Sequence, residues 1–144
     1  MDTSLLAGWP VIVVQNIAWG EMDSYAHVNN VVYFRYFENA RLEYFRRLGW
    51  PVAAKPTGVG PILQSTQCRF RKPLTWPDEI AIGARVAEIG ADRFTMEHTI
   101  VSAHWKGVAA EGSSVIVTFD YSKNAKAPLP DAVLQRIREL QERS

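Results

Sequence analysis

Between residues 30 and 48 apolar side chains recur at steps of three and four. This single run is followed by four long segments in which apolar and polar residues alternate. Tyr33, Phe37, Ala40, Tyr44 and Leu48 share one face of the implied helix, and Arg35, Asn39, Glu43 and Arg46 take the other. Asn29 or Asn30 can cap its start, Glu43 and Arg47 stand in the favourable i,i+4 order, and Gly49 followed by Pro51 stops it. The segments at 61–72, 79–89, 93–104 and 108–121 read as consecutive antiparallel strands, turned at Pro77-Asp78, Gly90-Ala91-Asp92 and Trp105-Lys106-Gly107. Ile80, Ile82, Ala84 and Val86 form one apolar face, and Phe94, Met96, His98 and Ile100 form another. Val115, Val117, Phe119 and Tyr121 also alternate. A β-branched stretch at 11–18 adds a strand ahead of the helix, and a short helix at about 130–143 carries Val133, Ile137 and Leu140. One helix with an apolar face and one sheet with an apolar face cover each other most economically when the sheet curves around the helix. The expected fold class is therefore α+β, a curved antiparallel sheet around a long central helix.

Length and charge narrow the partners. The chain has 144 residues and neither a repeat nor a linker long enough to divide it, so one domain spanning 1–144 is expected. A formal net charge of +1 gives no electrostatic case for nucleic acid. No basic stretch precedes the apolar residues of the N-terminus, and no apolar run approaches the roughly 20 residues of a membrane span. The lone Cys68 excludes an internal disulfide and fits a reducing compartment. A cytoplasmic protein without membrane attachment is the expectation. Strands of this length leave long unpaired edges, which self-association covers, so a homodimer or homotetramer is expected.

The chemistry gathers just before the long helix. Asp23, His27, Asn29 and Asn30 fall within eight residues. The first N–H groups of a helix have no intrahelical partner and lie at the positive end of its dipole, a good place to polarise a carbonyl. A carboxylate a few residues upstream can attack that carbonyl or activate a water that does. Such a sparse site suits a thioester, whose leaving thiol has a pKa near about 8.5 and needs little proton donation. An amide would require a strong general acid, and none is evident. His98, between Met96 and Ile100, reads as a core histidine. No His-Glu-x-x-His or paired-cysteine metal signature is present, and no Gly-x-Ser-x-Gly.

The run D-S-Y-A-H-V-N-N-V-V-Y, from Asp23 to Tyr33, followed by Phe37-Glu38-Asn39-Ala40-Arg41, resembles the signature of hotdog-fold acyl-CoA thioesterases related to 4-hydroxybenzoyl-CoA thioesterase. The segment R-F-R-K-P-L-x-x-x-D-E-I, from Arg69 to Ile80, is similar as well, and the resemblance extends over nearly the whole chain. It implies a hotdog fold and hydrolysis of acyl-CoA to a carboxylic acid and free CoA, with no metal and no cofactor beyond the CoA of the substrate. It further implies that Asp23 is the catalytic nucleophile or general base, that the Asn30 backbone N–H polarises the thioester carbonyl, and that the acyl group enters a pocket between subunits. His27 and Asn29 are expected to order the loop, Tyr33 to sit in the core with its hydroxyl satisfied, and Glu21 to be a solvated charge. Gln64 and Ser65 are candidates for the acyl pocket, and Arg69, Arg71 and Lys72 for the CoA phosphates. Two positions depart from the pattern: Ala26 stands where many relatives have glycine, and Tyr25 where others have asparagine. Two alternatives share the scaffold. One is a non-catalytic acyl-CoA or acyl-carrier binding protein; the other is a hydratase or dehydratase using His27 and Glu38.

Overall fold

The computed structural model describes residues 1–50 and 58–142. Its long helix, α1 (Asn30–Arg47), starts where its cap predicts: Asn29 Oδ1 accepts the Val31 N–H at 3.0 Å. It ends at Leu48, with Gly49 at φ +85°; Pro51, the second half of the predicted stop, lies outside the described residues. Glu43 joins both Arg46 (2.6 Å) and Arg47 (3.2 Å), and Arg47 also donates to the Pro10 carbonyl, tying the helix to the N-terminal strand. Tyr33, Phe37, Ala40, Tyr44 and Leu48 are all buried, and so are Tyr36, Arg41 and Phe45. The buried stripe is wider than the sequence suggests because the sheet wraps the helix on more than one side.

The strands are β1 (Val11–Asn16), β2 (Val59–Phe70), β3 (Glu79–Ile89), β4 (Arg93–Ser102), β5 (Gly107–Asp120) and the two-residue β6 (Ala125–Lys126). They form one antiparallel sheet in the order β1-β3-β4-β5-β2, with β6 on β5. This is the expected α+β hotdog arrangement. Helix α2 (Asp131–Glu142) buries Val133 and Ile137, with Leu140 partly buried. Its Gln141 accepts from Tyr44 Oη (2.8 Å) and from the Val86 N–H (3.1 Å), where β3 breaks register against β4.

The core lies between α1 and the concave face of the sheet. Gly112 marks the closest approach: a Cβ there would fall 2.4 Å from Phe37 Cε2 and 2.4 Å from the Gln67 carbonyl oxygen. Gly112 and its same-face neighbours Ala110, Ser114 and Ile116 therefore look toward the helix, so the odd-numbered series Val115, Val117, Phe119 and Tyr121 looks away. A smaller cluster of Leu6, Ala81 and Val101, with Trp9 and Ile12, covers the opposite face of the sheet. The N-terminal segment thus buries part of the face that alternation alone leaves to solvent. No described helix is long and apolar enough to cross a membrane.

Candidate active site

The residues leading into α1 fold as a miniature hairpin. Met22 and Val28 bridge, Asp23 N–H donates to the His27 carbonyl (2.8 Å), and Ala26 N–H donates to the Asp23 carbonyl (3.1 Å). The turn puts Ala26 at φ +60°, the left-handed region that glycine enters without penalty. Alanine at this position therefore carries backbone strain. Asp23 Oδ1 accepts the Tyr25 N–H at 2.9 Å, an Asx-type turn. That accounts for one carboxylate oxygen and leaves the side chain at the surface. His27 is also exposed; its carbonyl, not its ring, orders the loop.

The hairpin is anchored at both ends. Val28 N–H donates to the Leu74 carbonyl, and Asn29 N–H to the Glu21 carbonyl. Glu21 itself is not a solvated charge: its Oε1 accepts the Ala18 N–H (2.7 Å) and the Tyr36 hydroxyl (3.0 Å). This carboxylate, with burial, raises the Tyr36 pKa, burial being the larger cause. Tyr33 Oη accepts the Leu74 N–H (3.1 Å), and its ring packs edge-on to Phe70. Within the first turn of α1 the Val31 N–H is taken by the Asn29 side chain and the Val32 N–H by the Asn29 carbonyl. The exposed Asn30 N–H donates to no acceptor among the described residues.

A cavity of about 450 Å³ runs from this end of the helix along α1, between the helix and β2. Glu21, Val31 and Val32 line it near the loop, Phe34 and Arg35 farther on, and Glu38, Arg41, Thr66 and Leu63 at the far end. Arg41 belongs to a polar group drawn from four elements, of which Arg41, His98 and Ser114 are buried and Thr66 is exposed. Its Nη1 donates to Ser114 Oγ at 3.1 Å, and Ser114 Oγ lies 3.0 Å from His98 Nε2 and 3.4 Å from Thr66 Oγ1. His98 is stacked on Phe37. Burial, reinforced by the Arg41 charge, pushes its pKa down to about 3, so the ring is neutral.

The remaining sequence candidates stand apart from this cavity. The β2–β5 register slips between Leu63 and Ser65, leaving Gln64 in a bulge, where it accepts from Arg93 at 3.2 Å. Ser65 pairs with Val115 and Arg69 with Glu111, so both share the face turned from the helix. Arg71 binds Glu111 at 2.8 Å, and Lys72 lies 5.1 Å over the Trp105 ring. Thr66, one position past Ser65, reaches the cavity instead. Arg41, Glu21 and Thr66 are the site neighbours that sequence reasoning passes over. Arg41 leaves a trace there, because it falls among Phe37, Ala40 and Tyr44 on the apolar stripe. Burial pushes the Cys68 thiol up to about 11, which disfavours the thiolate. Among the described residues no three His, Cys, Asp or Glu side chains group closely enough to hold a metal ion.

The sequence pattern of the thioesterase-like superfamily matches residues 17–137. The chain belongs to that superfamily. A thioesterase from Thermus thermophilus, solved in complex with coenzyme A and zinc, is 29% identical and superposes with a TM-score of 0.81, over 96% of this chain and 98% of that one. The PA2801 protein of Pseudomonas aeruginosa is 28% identical with a TM-score of 0.80, covering 90% and 98%. A protein of Aquifex aeolicus (strain VF5) is 26% identical over 132 residues, 90% of this chain and 99% of its own length. The reaction class of this thioesterase-superfamily enzyme is thioester hydrolysis.

Proposed function

We propose that the enzyme hydrolyses acyl-CoA, with the thioester carbonyl held by the Asn30 N–H and attacked through Asp23. The observation that carries this reading is the free Asn30 N–H at the start of an 18-residue helix, seven residues after an exposed carboxylate. The other early N–H groups are used up by Asn29, so the helix dipole and one donor are left for a developing oxyanion. From there the chemistry has two routes with the same groups. In one, Asp23 attacks the carbonyl carbon, CoA leaves as thiolate, and water cleaves the mixed anhydride. In the other, Asp23 takes a proton from the attacking water, and the tetrahedral intermediate expels the thiolate. Asn29 holds the helix start, and His27 holds the loop through its carbonyl.

The cavity along α1 is the place for the acyl group. It borders β2, which is an edge strand with an exposed apolar series, including Val59, Ile62, Leu63 and Phe70. A second copy pairing on this edge would cover that series and roof the cavity, which supports a homo-oligomer. Arg71 and Lys72 flank the β2 end of the sheet and remain candidates for CoA phosphates. Thiol release from a panel of acyl-CoAs, read with a colour reagent, tests the reaction. Release with short, long, branched or aromatic members supports it; no release from any member overturns it in favour of a non-catalytic acyl-CoA binder. Light scattering at monomer mass would overturn the oligomer.

A further inference from the structure

At the far end of the cavity a positive charge is buried with only a loose ion pair to offset it. The Arg41 side chain is only 7% exposed. The one hydrogen bond it makes among the described residues is to a neutral hydroxyl, Ser114 Oγ. The nearest carboxylate oxygen, Glu38 Oε2, stands 3.9 Å from Nη2, beyond hydrogen-bond distance, on a side chain 46% exposed that also reaches toward Arg35 at 3.8 Å. His98, on the other side of Ser114, is neutral and supplies no compensation. A guanidinium carries five N–H donors in a planar fork. Burying it with one neutral acceptor is costly unless something else fills the fork. Arg41 lines the cavity, and so does Thr66, whose hydroxyl is already donated to the Ser113 carbonyl at 3.1 Å.

Position adds a second constraint. Along the helix between Asn30 and Arg41 the lining includes Val31 and Phe34 with the exposed Arg35 beside them, and Leu63 stands on β2 at the Arg41 end. From Val31, beside the Asn30 N–H, to Arg41 is ten residues, or about 15 Å of helix axis at about 1.5 Å per residue. The Arg41 side chain leans back toward the helix N-terminus and shortens that span. An acyl group with its thioester at Asn30 therefore runs along Val31 and Phe34 and meets Arg41 at its tip.

Resting on the acyl-CoA reading above, we propose that Arg41 recognises an oxygen acceptor at the far end of the acyl group, so that the substrate class is acyl-CoA ending in a carboxylate, or more weakly a hydroxyl, rather than in plain hydrocarbon. The carboxylate is favoured because charge-assisted, bidentate contacts to arginine are the stronger ones.

The test uses matched CoA thioesters at three lengths: adipoyl against hexanoyl, suberoyl against octanoyl, sebacoyl against decanoyl, with a terminal hydroxyl analogue of the best pair. The expected result is a kcat/KM ratio of at least about tenfold for the carboxylate member at one length, as a charged hydrogen bond gives, with the hydroxyl analogue between. Arg41→Met brings the ratio to about one or below, and Arg41→Lys, which keeps the charge without the planar fork, lowers it severalfold. Glu38→Gln raises it, because the competing carboxylate is gone. This opposite sign is something a merely structural role would not produce, and the two milder variants decide the matter if Arg41→Met does not fold. Hydrolysis of the plain acyl-CoAs with a ratio near one at all three lengths overturns this inference and leaves the thioesterase reading standing. If nothing is hydrolysed, that reading fails. Calorimetric titration with the same pairs then decides the inference, and equal affinities overturn it.

Discussion

The two ends of the cavity along α1 are built in opposite ways. At the near end, Asp23, Ala26, His27, Asn29 and Asn30 are neighbours in sequence, mostly exposed, and held by hydrogen bonds that span a few residues. At the far end, Arg41, His98 and Ser114 come from α1, β4 and β5 and meet in the interior around one hydroxyl, with the exposed Thr66 of β2 against it. A local, solvated constellation can be altered with little effect on the fold. A non-local, buried one is bound up with the packing of helix against sheet. Substitutions at the near end should therefore act on rate, and those at the far end on stability and on the choice of acyl group.

The sharpest way to break this contrast is Asp23→Asn. Asparagine keeps the size and can still accept the Tyr25 N–H in the same turn, but it is neither a nucleophile nor a base here. Turnover should fall by two to four orders of magnitude, about 3–5 kcal/mol in the barrier, while the thermal midpoint stays put. Steady-state thiol release beside a melting curve checks both halves. Near wild-type turnover would remove Asp23 from the chemistry; a collapsed melting curve would mean the loop is not energetically separate.

The opposite behaviour is expected at Gly112, where the sheet comes closest to Phe37. A methyl group there meets the Phe37 ring and the Gln67 carbonyl at 2.4 Å, and the carbonyl belongs to a paired strand that cannot move alone. Gly112→Ala should cost about 2–3 kcal/mol by overpacking, read as a shift in the urea midpoint at unchanged slope. A loss below about half a kcal/mol, the size of an ordinary surface substitution, would show that helix and sheet are not in close register at this point.

A third test uses pH. His98 is held neutral in the folded protein, its pKa pushed from 6.5 down to about 3 by burial and by Arg41. The unfolded chain takes up the proton first as the pH falls. The stabilisation is therefore fully present above about pH 6.5 and is lost progressively between there and about pH 3. By about pH 5 the loss from this group is about 2 kcal/mol. Urea unfolding at about pH 7.5 and about pH 5, on either side of the unfolded-chain value, measures it, and His98→Gln should flatten the difference. An equal pH slope in the variant would locate the effect elsewhere.

The same contrast explains what the sequence makes legible. The helix and the strands follow from periodicity and turn residues, which are local signals; the pairing of β2 with β5 and of β1 with β3 does not. Asp23 and Asn30 are readable because the groups proposed to react lie in one short run. Thr66 is missed in favour of Ser65 because a bulge at Gln64 shifts the parity of β2, and nothing in the run of polar residues from Gln64 to Gln67 announces it. Glu21 looks like a surface charge because its partner, Tyr36, is fifteen residues away on the helix. Arg41 could have been noticed, since a charge on an apolar stripe demands a partner. Which partner it finds is decided by strands β2 and β5, and no spacing in the chain specifies that.

The smallest predicted effect lies in the near-end loop, and it runs in the stabilising direction. Ala26 adopts φ +60° with its N–H fixed to the Asp23 carbonyl. A non-glycine residue pays about 1–2 kcal/mol for that conformation. Glycine avoids it but gives back about 0.5–1 kcal/mol through the greater freedom of its unfolded chain. Ala26→Gly should therefore raise stability by up to about 1 kcal/mol. If the left-handed turn is what aims Asp23, relaxing its strain leaves the hydrogen bonds in place and activity close to wild type. Ala26→Val discriminates further, because β-branching is poorly tolerated at positive φ. It should lower turnover and stability together, since the loop can escape the strain only by opening the Met22–Val28 bridge. A valine variant that unfolds more readily yet keeps full turnover would show that Asp23 does not depend on the turn, and the chemistry would have to be sought in the anchored part of the loop around Glu21.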